Sequence, residues 1–147
     1  SWLERATSLS PNYAQGMYAL AWTNTIAGAG LDGRDQIDMA MRLSPLDPLY
    51  YAMLGARGFT HIAQEEYVEA LEWTERAARA PGAHVFMALL AAAAQALAGD
   101  KTRAAAWGEE VRERGPTLTG DDFFRGYPVQ AEPMRSRIAA ALQELGF

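Results

Sequence analysis

Two histidines, His61 and His84, are the chain's only imidazoles, and with no cysteine in its 147 residues there is no thiolate for either to share a metal with. Zinc hydrolysis or nucleophilic catalysis needs a second donor or base at fixed spacing, and no HExxH, phosphate-loop or GxSxG pattern occurs. The histidines fall in different helical stretches and read as helix-face or helix-end residues. Asp121 and Asp122 carry enough charge for a divalent cation, but adjacent acids ahead of Phe123 serve more often as a helix N-cap. Gly28-Ala29-Gly30 with Gly33 has the glycine density of a phosphate loop. Alanine, leucine and methionine flank it at helical spacing and no strand precedes it, so it reads as a turn. No catalytic constellation emerges: the expectation is a non-enzyme with no cofactor and no metal.

The formal charge of −5 comes from 18 acids interspersed with 13 bases. Direct nucleic-acid binding draws its affinity from clustered cations that release counterions, and here only Arg112 and Arg114 come close to a cluster. The longest apolar run, 85–94, is half the ~20 residues of a membrane-spanning helix, and no signal or transit pattern is recognisable. The expected setting is cytoplasmic, without membrane insertion.

Four prolines, Pro11, Pro45, Pro81 and Pro116, stand 34, 36 and 35 residues apart, each just past a helical stretch. That period fits repeated pairs of antiparallel helices. Residues 2–11, with Leu3, Ala6 and Leu9 three apart, open in mid-pattern, as half a repeat cut from a longer protein would. The first full unit pairs helices near 13–27 and 32–43 across the glycine-rich turn, with Asp32 as cap and Gly33 costing about 1 kcal/mol of helix propensity. In the second unit Asp47 is expected to cap a helix that starts at Pro48 and runs to about 63. Its partner, 65–79, places glutamates early and arginines late, as the helix dipole prefers, and its acids read as a solvated face. The third unit pairs 83–98 with 101–114 across Gly99-Asp100, and Gly115-Pro116 ends it. The remainder is an aromatic linker, 121–128, and a helix near 132–145 with Ile138, Leu142 and Leu145 on one face. The expected organisation is 1–116 as repeats and 117–147 as linker and cap.

Met17, Leu20, Ala21, Ala40 and Pro45 in the first unit, Tyr51, Leu54, Gly55, Ala70, Ala77 and Pro81 in the second, and Gly99, Ala104 and Pro116 in the third resemble the tetratricopeptide repeat. Gly33, Thr74 and the alanines of 91–94 depart from its pattern. The resemblance implies an all-α fold, a right-handed superhelix of antiparallel helix pairs with a C-terminal capping helix. The stretches 42–48, 67–73 and 122–128 further resemble the C-terminal repeat regions of bacterial class III adenylate cyclase-like proteins and of winged-helix regulators, whose active domains lie upstream.

In such a stack the first helix of each unit lines a concave groove. By phase that groove holds Tyr18, Trp22, Ile26, Ala52, Phe59, Phe86, Leu89 and Ala93, an apolar surface without the basic clamp some family members use for peptide carboxylates. Two occupants are open, a protein or peptide ligand and the chain's own C-terminal tail. The tail is expected to fold back, setting Ile138 and Leu142 against the second helix of the third unit near Trp107 and Val111. The implied role is a protein-interaction or regulatory module, or alternatively a homo-oligomeric one that holds two upstream domains together.

Overall fold

Pro45, Pro81 and Pro116 all fall between helices in the computed structural model, which describes residues 12–147. The expected half-repeat at 2–11 lies outside the described residues. Three helical hairpins follow one another: α1 (Asn12–Ile26) with α2 (Gly30–Leu43), α3 (Tyr50–Ala63) with α4 (Tyr67–Arg79), and α5 (Val85–Ala98) with α6 (Lys101–Arg114). Two shorter helices, α7 (Gly120–Gly126) and α8 (Met134–Glu144), complete the described chain, which has no strand. Each helix packs on the next through α6, and α1, α3 and α5 also touch in series. No described helix is long and apolar enough to cross a membrane.

Local chemistry explains most boundaries. Asp100 caps α6 by accepting from the Arg103 amide at 3.0 Å, and Gly99 ends α5 at φ 93°, a backbone conformation open to glycine at little cost. Other caps differ from expectation. Asp32 sits inside α2, whose N-cap is Ala29, so the first turn closes earlier and takes Gly30 and Gly33 into the helix. Asp47 accepts from the Leu49 amide at 2.8 Å in a turn before α3, which starts at Tyr50 rather than at Pro48. Glu65, at φ 61°, lies in the turn and α4 begins at Tyr67. The 121–128 linker is largely helical, and neither Asp121 nor Asp122 is its N-cap. Thr119 is, in a capping box with Asp122.

The departures from the repeat pattern have packing causes. Gly33 lies where α2 meets α1: a Cβ there would overlap the Thr25 hydroxyl and stand 3.0 Å from the Ala21 carbonyl oxygen. Thr74 is fully buried, bonds the Ala70 carbonyl at 2.9 Å, and faces Gly58, whose missing side chain lets α3 approach α4. The alanines at 91–94 are fully buried, because α5 is enclosed by α4, α6 and α8.

One core cluster joins repeats and tail. Phe59, Leu89, Leu90 and Val111 are buried with Phe123, Val129, Ile138 and Leu142. The tail therefore folds back, and Ile138 and Leu142 share a cluster with Val111 and Trp107 of α6, but α8 packs chiefly on α5, the first helix of the hairpin, and reaches α6 more lightly, as in the Lys101–Glu144 ion pair. Helix α6 also meets the extreme C-terminus. Arg112 lies over the Phe147 ring at 4.7 Å and donates to the Leu145 carbonyl, and Gly108 faces Phe147. The shift follows from α7, which occupies the α1–α3–α5 side and delivers α8 to α5.

Candidate functional site

Tyr18, Trp22 and Ile26 recur every four residues along α1, so the helix turns them to one face. Phe59 comes from α3, and Phe86 and Leu89 from α5. The structure brings these six residues together, and what they surround is the tail. In α7, Phe123 and Tyr127 share the same four-residue spacing, on a short helix fixed by its Thr119–Asp122 box. Hydrogen bonds from the Thr119 backbone, followed by Arg125, hold the Asp122 carboxyl below its usual range.

Tyr127 is the hub. Its ring stacks on Trp22 at 4.8 Å, lies 6.1 Å from Phe59 and 6.0 Å from Phe86, and meets Phe123 edge-on at 5.1 Å. Trp22 also packs edge-on to Phe59 at 5.3 Å and to Tyr18 at 6.4 Å, while Phe123 stacks over Phe59 at 6.4 Å. Offset and edge-on ring pairs at such separations contribute about 0.5–1.5 kcal/mol beyond area burial. Gly126 passes so close to Phe86 that a Cβ there would stand 2.9 Å from the ring. Burial raises the Tyr127 hydroxyl pKa strongly, and burial also raises that of Tyr18, so both stay neutral. Beside the stack a small open cavity of about 180 Å³ is lined by Tyr18, Trp22, Ile26, Gly126, Tyr127 and Pro128.

Two polar clusters escaped the sequence reading. His61 is 7% exposed, sandwiched between Arg34 of α2, 2.9 Å from Nδ1, and Arg57 of α3, 2.6 Å from Nε2. Glu66 Oε1 lies 3.0 Å from Nδ1 and accepts from Arg34 at 2.6 Å, while Asp38 accepts from Arg57 at 2.8 Å. With the proton on Nδ1, Nδ1–H donates to Glu66 and Nε2 accepts from Arg57, while Arg34, which donates to Glu66, stands against Nδ1 as a second donor with no hydrogen bond to it. Burial, with Arg34 and Arg57 beside it, depresses the His61 pKa despite Glu66. His84, by contrast, is the helix-end residue expected, capping α5 by accepting from the Phe86 amide at 3.1 Å.

The second cluster centres on Glu75, assigned above to a solvated face but only 8% exposed. Gln95 Nε2 donates to it at 2.5 Å, Trp107 at 3.3 Å and Arg103 at 2.7 and 2.8 Å, with Arg79 at 3.0 Å. Burial pushes its carboxyl up, and these donors outweigh that and hold it low. The cluster ties α4 to α5 and α6 and leaves Glu75 fully engaged. A histidine and a glutamate at the edge of apolar arcs, beside Phe59 and Ile62 and beside Leu71 and Ala78, were the available signals.

Among the described residues no group of three His, Asp or Glu side chains is placed to hold a metal ion. No protein-family model, curated protein or solved structure matches this chain.

Proposed function

We propose that the chain is a non-enzymatic protein-interaction module, a tetratricopeptide-like superhelix within a larger bacterial regulatory protein, whose groove holds its own tail until a competing peptide replaces it. One observation carries this reading. The aromatic face of α1, α3 and α5 closes around Tyr127 as a peptide groove closes on an anchor residue. The resident segment defines the chemistry of a competitor: a short helix with aromatics at i and i+4 followed by proline, as in Phe123, Tyr127 and Pro128. The cavity beside Trp22 and Tyr127 gives such a peptide a first foothold.

The test uses a labelled peptide of residues 119–130 and the full chain. Tyr127→Ala removes the resident anchor, so the variant is expected to bind the peptide at least about tenfold more tightly than the parent, the ratio that 1.4 kcal/mol of lost competition produces. Equal, negligible binding by both folded chains would contradict the reading.

A further inference from the structure

The first hairpin supplies Trp22 to the aromatic stack, and polar contacts to the second hairpin help to hold it in place. Arg34 and Asp38 reach across from α2, Arg57 and His61 stand on α3, and Glu66 closes the set from the α3–α4 turn. Arg34 also donates to the Thr60 hydroxyl at 3.2 Å, and Glu65 of the same turn pairs with Arg137 of α8. From α4, Trp73 lies under Arg57 at 4.7 Å and under Arg76 at 5.1 Å. The Arg34 and Arg57 side chains facing His61 are only 17% and 14% exposed.

With His61 neutral the cluster balances, two guanidiniums against the carboxylates of Asp38 and Glu66. Protonation puts a third cation between two others and turns the Nε2 lone pair, which accepts from Arg57, into a second N–H aimed at a donor. A buried like-charge contact of this kind is relieved by separating its elements. We propose that the Arg34–His61–Arg57–Glu66 cluster is an acid-sensitive latch between the first two hairpins, regulating access to the groove that Trp22 helps to close. The consequence at the groove rests on the reading of a tail-occupied groove, whereas the latch itself does not.

His61 binds its proton less readily folded than unfolded, so its contribution is fully present above the unfolded value of 6.5 and is lost as pH falls below it. Glu66, Glu75 and Asp122, held low by their partners, lose stability only in the more acidic carboxylate range.

Denaturant unfolding and amide exchange of the full chain at pH 7.5 and 5.5, corrected for intrinsic exchange, test the latch. The unfolding constant is expected to rise by up to about tenfold at the lower pH. Exchange should accelerate in peptides from 12–43 more than in those from 85–144. His61→Gln should flatten the response, and His84→Asn, which keeps a capping side chain, should retain it. A wild-type slope in His61→Gln, or acceleration spread evenly over the chain, would overturn the latch. Should His61→Gln fail to fold, an NMR titration of the parent decides: a His61 midpoint at or above 6.5 contradicts the proposal, and a lower one supports it. Peptide binding enters none of these readouts, so the latch and the groove reading fail separately.

Discussion

Phe123→Ala is expected to destabilise the chain by about 3–5 kcal/mol, the usual cost of deleting a buried phenylalanine. Phe123 is fully buried, stacked over Phe59 and meeting Phe124 and Tyr127 edge-on, in the cluster that also contains Leu89, Ile138 and Leu142. Its removal leaves a cavity between the tail and α3. A stability of about 5–15 kcal/mol is typical of small proteins, so this loss is a large share of the total. Urea unfolding gives the magnitude. Binding of a hydrophobic dye should rise as the tail releases and Phe59 and Leu89 meet water. A melting curve within a degree of the parent's would show that the tail contributes little to the fold.

Gly33→Ala should destabilise by about 1–3 kcal/mol, against the helix-propensity gain of about 1 kcal/mol that alanine brings. The new Cβ meets the Thr25 hydroxyl, and that hydroxyl cannot swing away cheaply because it is buried and donates to the Ala21 carbonyl at 2.7 Å. The Ala21 oxygen, on the backbone of α1, blocks the other side. The sign of the change in unfolding free energy decides between the two effects. A stabilised variant would mean that α1 and α2 do not approach as closely as the structure has them.

Gly33 also shows where the sequence stops being legible. Its cost to helix α2 was readable from one residue, but its purpose depends on Thr25, eight residues earlier on a different helix. The hairpin boundaries at Gly99-Asp100 and Gly115-Pro116 could be read because capping and chain-stopping are local chemistry. Asp32, Asp47 and Asp121 misled because each has the right side chain for a cap one to three residues from where the helix begins. The N-caps are Ala29, Leu49 and Thr119, so the presence of a capping side chain alone did not fix where each helix starts. Among the groove residues, the spacing of Tyr18, Trp22 and Ile26 on one helix implied a shared face. That Tyr127 would stack on Trp22, 105 residues away in sequence, is set by the packing of α7 and has no local signature. Charge order along α4 placed all its acids in solvent. Glu75 is the exception because Gln95, Arg103 and Trp107 come to it from α5 and α6.

The central claim, that the chain's own tail fills the face formed by α1, α3 and α5, is tested most directly by proton NMR of the full chain. Rings stacked at 4.8 Å and 6.4 Å between centroids bring their protons within the range of nuclear Overhauser contact. Cross-peaks are expected between the Trp22 indole and the Tyr127 ring, and between Phe59 and Phe123. Absence of both sets, with sharp unfolded-like resonances for residues 119–128, would contradict the account and leave the groove open to an external ligand.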